Sequence, residues 1–454
     1  MAFPAALSAQ VVATQLEQVN PKLPKYLVAE SSNFAKLFDK AAPKHKVSAW
    51  NAGSGAVLAY RVPVLLNRGG DYQVISLDNG DLGSGSMMTT AYMTLGAFAT
   101  DIAYAVPMQA AMSTKSNAQA ITNVLEDSIT NGIKESAIYD EIGLFQDSTG
   151  ILAMGSGTGS APSGGSAGSS VTYNLETLAF SYIRIRGNNT LLDVYGSNNV
   201  IKQTGVRVTN INYSQNQVTV LVPSGGNYSP ANNDQLAYPN MSLGAGGYTT
   251  TSGSFRNGIY TFQTTNTTGS LLGLTYSSAY ELVCNVVNGG GGYYTPSLLF
   301  SGKSQLTQRR DDKVLSGIKG VCHTAQRTSW YLQAVTIANQ FLRPGEASKP
   351  NDLAGQGTML SDTFEAGDVI HHVSRYANKS RVDWFDPKNF GWVQWDEPAF
   401  VTTPEGQRIF IGHNTTTGNP TAGFQFYMHN TRNLYSVDPG CSVITNNLQI
   451  PAGQ

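Results

Sequence analysis

Residues 300 to 304 read Phe-Ser-Gly-Lys-Ser, the tail of a phosphate-binding loop. The glycine such a loop needs five residues before Gly302 is Ser297, and no strand precedes it, so the cradle of backbone amides is missing and Lys303 reads as a helical surface lysine. Gly164-Gly165-Ser166-Ala167-Gly168 matches the nucleophile pattern G-x-S-x-G. That pattern works on a tight strand-to-helix turn, whereas here it sits in a Gly/Ser-rich stretch, and Ser166 reads as a spacer. Cys322 and His323 are adjacent, as are His371 and His372, and neighbours in a strand point to opposite faces. Neither pair readily chelates one metal, and His45, His413 and His429 lie far off in sequence, so these histidines read as packing or surface groups. Asp383, Asp386, Asp396 and Glu397 stand among Trp384, Trp392 and Trp395, a composition also found in sugar-cleaving sites. Asp386-Pro387-Lys388-Asn389 is, however, ordinary turn chemistry between strands. Asn-x-Ser/Thr matches at Asn188, Asn212, Asn227, Asn266, Asn378 and Asn414 reflect an abundance of those residue types. The residues therefore suggest no catalytic group, no cofactor and no metal site.

What the chain must position is read from its composition. Its 454 residues can bury a sizeable core. Lys+Arg 29 against Asp+Glu 30 leaves a net charge of -1, so no basic surplus draws the whole molecule to nucleic acid or an anionic membrane. Only 13% of residues are charged, against about 25% in an average domain, so much of the outside is uncharged or covered by other chains. Three scattered cysteines, Cys284, Cys322 and Cys441, make no disulfide framework and suit a reducing compartment. The first ten residues lack the basic and apolar regions of a signal peptide. No apolar run approaches the roughly 20 residues of a membrane helix.

Residues 1 to 50 read as an extended arm, broken by Pro4, Pro21, Pro24 and Pro43. Its run Lys36, Lys40, Lys44, Lys46 is interrupted by Asp39 and poor in aromatics, and reads as a solvated arm rather than a nucleic-acid tail. From 56 to 108 the pattern is of strands, with turns at 67–70 and 78–81. The first two strands have few apolar partners of their own, and an isolated ribbon is marginal in water, so something outside that stretch must hold it. Ile121, Leu125, Ile129, Ile133 and Ala137 then recur every four residues, supported by Val124, Ile138 and Ile142, behind a capping box of Ser116 and Gln119. This predicts one long helix over 116–146 with a slowly winding apolar stripe. Residues 147 to 171 read as a flexible Gly/Ser linker, and 172 to 243 as a small β-barrel or sandwich. LLGLTYSSAYELVCNVVN, PSLLFSGKSQLTQRR and TAQRTSWYLQAVTIANQF read as helices, and the end of the chain, from Asp368, as strands.

That order of pieces, with the segments GSFRNGIYTF, DTFEAGDVIHHV, RVDWFDPKNFGWVQWDEPAF and NLYSVDPGCSVITNNLQIP, resembles the major capsid proteins of tailed bacteriophages. The resemblance implies an α+β fold of the Hong Kong 97 type with an inserted β-domain. Its parts would be an N-terminal arm (1–50), an extended β-hairpin loop (51–95) and a peripheral-domain strand with the spine helix (96–146). The linker (147–171), the inserted domain (172–243), an axial domain (244–385) and C-terminal strands returning to the peripheral domain (386–454) would follow. It implies a non-enzymatic virion protein, made in the bacterial cytoplasm, that assembles with itself into hexamers and pentamers. Portal, scaffolding and decoration or cement proteins would be further partners, the packaged double-stranded DNA would be held without sequence-specific contacts, and no membrane is involved. Contacts between copies would come from Phe34 and Phe38 in the arm and Arg61, Arg68, Tyr72, Asp78 and Asp81 in the loop, and the spine core from Ile121, Leu125, Ile129, Ile133, Ile138 and Ile142. No lysine stands between Trp50 and Thr114, so a lysine crosslink from the loop is not supported. A β-rich phage tail or surface adhesin, with 172–243 as its recognition module, is the alternative.

Overall fold

The computed structural model describes residues 33–46, 59–67, 87–96, 98–107, 118–148, 150–157, 161–176, 184–185, 187, 190–198, 200–212, 214–239, 256–263, 270–275, 282–309, 317–341, 363–366, 369–402, 410–413 and 420–451. The fold is α+β and divides into two units: Met1–Leu58, Gly96–Glu141 and Trp392–Asn433 form one, and Ala59–Leu95, Ile142–Gly391 and Leu434–Gln454 the other.

The first unit is organised by the long strand Pro420–Ser436. The strand Ala99–Pro107 pairs antiparallel with it, from Pro107 opposite Gly423 to Ala99 opposite Thr431. On its other flank lies Phe390–Phe400, whose own neighbour is the short parallel strand Lys44–Lys46 at the sheet edge. Helix α1, Asn33–Ala41, turns Phe34 and Phe38 inward, both buried, and Phe38 meets the Trp392 ring edge-on at 6.2 Å. Helix α2 is the long one, Ala118–Leu144, running within the span that the four-residue recurrence predicts. On its described turns Ile133 and Ala137 are buried, as is Ile142 in the last turn, while Ile138 is half-buried. The side chains of Ile121, Leu125 and Ile129 lie outside the described residues, as does the capping pair at Ser116. Asp140 of α2 holds Arg432 of the long strand at 2.7 Å, and the guanidinium lies over the Trp392 ring, 4.3 Å from its centre.

In the second unit, six strands form a small barrel. Their order is Ile151–Met154, Gln235–Ala237, Leu191–Tyr195, Ile201–Asn212, Gln217–Leu221 and Ser170–Asn174. The two outer strands meet through the Gly155 to Leu175 bridge, with Ser156 N donating to Asn174 O at 2.7 Å and Glu176 N to Met154 O at 2.8 Å, so no edge is left open. Inward side chains alternate along the strands: Val171 and Tyr173, Leu192 and Val194, Val206 and Val208, Val218 and Val220 are all buried. Expected as a flexible linker, 147–171 instead supplies the barrel's first strand and the start of another. Four apolar residues, Ile151 to Met154, suffice for a strand once a partner covers both faces, and the glycines between serve as turns.

A second six-stranded sheet mixes parallel and antiparallel pairs in the order Asn285–Asn288, Val443–Asn446, Val382–Phe385, Lys319–Cys322, Val369–Val373, Thr363–Ala366. Helices α3, Pro296–Arg309, and α4, Thr324–Phe341, lie at the positions their sequences predict. Leu299, Leu306 and Tyr331 from them join Trp384, Val443 and Phe364 of the sheet in one apolar core. The helix expected over 271–288 is absent from the described residues of that span. Ser270–Leu271 and Leu274–Thr275 make a two-strand hairpin, and Asn285–Asn288 is a strand. Leu272 at φ 50° and Gly273 at φ 93° form the turn, a reversal that helical spacing of apolar residues cannot disclose.

Candidate functional site

Each chemical motif is absorbed by packing. Gly302 of the FSGKS run lies mid-helix in α3, where an added Cβ would stand 3.3 Å from both Trp384 and Val443, so this glycine serves close helix-to-sheet contact. Ser166 belongs to a turn in which Ser169 N donates to Ser166 O at 2.9 Å, and the chain passes on to a strand rather than a helix. His323 precedes α4 and caps it, its Nδ1 accepting from Ala325 N at 3.1 Å; burial pushes its pKa down to about 3. Its neighbour Cys322 is buried, and burial raises its thiol pKa. His371 is buried at the centre of the aromatic core. Trp384 Nε1 donates to its Nε2 at 3.1 Å and Tyr294 Oη lies 3.2 Å from the same nitrogen. Because an indole N–H only donates, Nε2 must accept, which puts the ring proton on Nδ1, bonded to Val369 O at 2.9 Å. Burial lowers the pKa of His371 to about 4, and that of His372 likewise. Among the described residues no group of three His, Cys, Asp or Glu is placed to hold a metal ion.

The two carboxylates whose side chains are described, Asp383 and Asp386, do not form a catalytic pair. Asp383 is buried and paired with Arg381, whose Nη2 donates to Gln263 Oε1 at 2.7 Å and whose guanidinium covers the Tyr260 ring at 4.3 Å. Burial raises the Asp383 pKa, and the arginine opposes that rise. Asp386 accepts from Lys388 N at 2.9 Å and caps a single turn, Pro387–Asn389, the role its sequence context predicts. The side chains of Asp396 and Glu397 lie outside the described residues.

Two features of the second unit remain as candidates for function. One is the ribbon of Ala59–Asn67 paired with Thr89–Gly96. Its inner face is fixed: Val62, Val64, Met93 and Leu95 are buried, and Thr94 N donates to Leu272 O at 3.0 Å. Its other face is open, with Arg61 exposed and Tyr92 exposed to 53%, and just before its second strand Met87 and Met88 are exposed to 84% and 63%. The support that the sequence demanded for this ribbon therefore includes a hairpin of its own chain. Of the residues expected at contacts between copies, Arg61 is on the open face, Phe34 and Phe38 are buried within the chain itself, and Arg68, Tyr72, Asp78 and Asp81 lie outside the described residues.

The other feature is a close crossing at the end of α2. Residues 256–258 pass against the turn that follows the helix, with Asn257 bridged to Asp147 and its Nδ2 donating to Leu434 O at 3.2 Å. Buried Arg256 occupies the space a Cβ on Gly143 would need. A Cβ on Gly258 would stand 2.6 Å from Gly143 O and 2.8 Å from Gln146 N. Nearby, buried Arg184 donates to Tyr376 O at 2.9 Å, and burial lowers its pKa. Sequence reasoning missed this crossing, although the dipeptide Asn257-Gly258 and the glycine three residues before Gln146 mark it in retrospect.

No protein-family model and no curated protein matches the chain. Among solved structures it is similar to a chain of the capsid asymmetric unit of cyanophage A-1(L), at 8% identity and TM-score 0.46, over 89% of this chain and 96% of that one. It is also similar to the holo-encapsulin complex of Synechococcus elongatus, at 8% identity and TM-score 0.40, over 91% of this chain and 88% of that one. A virus-like particle from Pyrococcus furiosus is similar at 7% identity and TM-score 0.36, over 95% of this chain and 99% of that one. None of these likenesses transfers a residue role or a partner to this chain.

Proposed function

We propose that this chain is a shell-forming structural protein of the tailed-phage major capsid type, which assembles with itself into hexamers and pentamers of an icosahedral head around double-stranded DNA. The observation that carries the proposal is the ribbon. It is anchored on one face within its own unit and leaves Tyr92 uncovered on the other, with Met87 and Met88 exposed where its second strand begins. Apolar side chains so exposed gain free energy when another surface covers them, at about 25 cal/mol per Å². A second copy is the natural cover, because heterologous contacts between identical chains close into rings. The low charge content supports the same reading, since 13% charged residues suits a chain whose surface is largely buried against neighbours. The order of sequence segments, from arm to terminal strands, supports the phage-capsid class in particular.

Electron microscopy and sedimentation of the purified full chain test the proposal. Closed shells, or rings of five and six, are expected. Deleting residues 68–86 should leave a folded chain that no longer assembles. A parent chain that stays monomeric at every concentration, or a deletion variant that forms normal shells, would overturn it.

A further inference from the structure

We infer that the segment 33–46 is a docking surface for the phosphate backbone of duplex nucleic acid. As bare sequence its lysines read as a solvated arm; folded, the two on α1, Lys36 and Lys40, are set away from the buried rings. Phe34 and Phe38 point into the first unit and Phe38 packs on Trp392, so α1 is held with a fixed face outward. At about 100° per residue Lys36 and Lys40 fall opposite those rings. Lys40 is exposed and Lys36 half-buried, and the chain then runs into the sheet-edge strand with Lys44 and His45 exposed. Four lysines, Lys36, Lys40, Lys44 and Lys46, stand against one acid, Asp39, which bonds Lys44 at 2.7 Å; four minus one leaves a surplus of three in this segment of a chain whose net charge is -1.

The chemistry selects the occupant. Both phenyl rings of the segment are buried and only the small His45 ring is exposed, so an unpaired base finds little to stack on and single strands gain little advantage. Lysines are point charges without a planar fork, which suits phosphates contacted without regard to sequence. The inference rests on the shell reading only for the source of the duplex; the binding itself is measured separately from assembly.

The test titrates full-length chain with a mixed-sequence DNA duplex by fluorescence anisotropy at two salt concentrations, alongside sedimentation of the same samples. If each surplus charge neutralises one phosphate, a fourfold rise in salt should weaken binding about fortyfold. In the double variant Lys36→Gln, Lys40→Gln the surplus falls to one, and the same rise should cost only about 3.5-fold. A variant that binds with the parent's affinity and salt dependence overturns the inference. So does tighter binding of single-stranded DNA, or of polyglutamate, which would mark an acidic protein as the partner. Shells that form normally while the salt response is unchanged sink this inference and leave the assembly reading intact. Variant-sensitive binding by a chain that never assembles does the reverse.

Discussion

Replacing Gly258 with Ala adds one methyl group, and the crossing at the end of α2 determines what that methyl costs. Gly258 has φ -112° and ψ -174°, an extended conformation that any residue adopts, so backbone strain plays no part. The obstacle is steric. The new Cβ would lie 2.6 Å from Gly143 O and 2.8 Å from Gln146 N, where comfortable contacts begin near 3.5 Å. Both blocking atoms are main chain, so neither can swing aside. The strap must retreat, and its ties are the bridge to Asp147 and the Asn257 bond to Leu434 O at 3.2 Å. Overpacking costs about 1–3 kcal/mol and each weakened hydrogen bond about 1 kcal/mol, for a total of about 3 kcal/mol. In a unit of this size, at about 2 cal/mol/K of unfolding entropy per residue, that corresponds to a drop of about 5 °C in Tm, read by calorimetry or circular dichroism on the deletion variant lacking 68–86. Gly96→Ala is the control, because a Cβ there meets nothing within 4 Å; it should stay within about 0.5 kcal/mol of the parent. A Gly258→Ala protein that melts with the parent would refute the close crossing.

The buried histidines make stability depend on pH. His371 has its pKa lowered from 6.5 to about 4 by burial, so the unfolded chain takes up a proton first as acid is added. Stability should therefore fall between pH 6.5 and about 4 and level off below, with His371 alone contributing on the order of 3 kcal/mol. His372 acts over the same window and His323 down to about 3, and urea unfolding across that range reads the slope. In the first unit, Arg432→Ala removes both the Asp140 ion pair and the cover over Trp392, and should cost about 1–3 kcal/mol. Arg432→Lys should recover only part of that loss, because an ammonium lacks the planar stack; equal stability of the lysine variant and the parent would argue against the stacking.

The parts legible in the sequence were those whose signal is local. The recurrence of apolar residues every four positions marks α2, and the helical texture of 296–309 and 324–341 marks α3 and α4. Alternation marks strands such as Gln217–Leu221, where buried Val218 and Val220 alternate with half-buried neighbours. What failed was decided by distant partners. Leu272 is no turn former, yet it takes a positive φ and offers its carbonyl to Thr94, residues far away in sequence. Ile151–Met154 looked like linker until Gln235–Ala237 covered it. His371 was readable as a packing residue, but the two donors that converge on its Nε2 come from residues 294 and 384 and leave no mark near it. The crossing at Gly258 is invisible for the same reason: a glycine records only that space is short, not what fills it.

The barrel's first strand and its last are hydrogen-bonded neighbours, with Ala237 opposite Ile151, and Asp147 and Asn257 are bridged again beyond them. The chain thus departs and rejoins at adjacent ends, and within the excursion Arg184 ties it back to Tyr376 O at 2.9 Å. A module joined in this way can lengthen or shrink in its outer turns while its two ends stay side by side, but exchange for a foreign one would also have to replace the arginine that fills the buried site beside Tyr376.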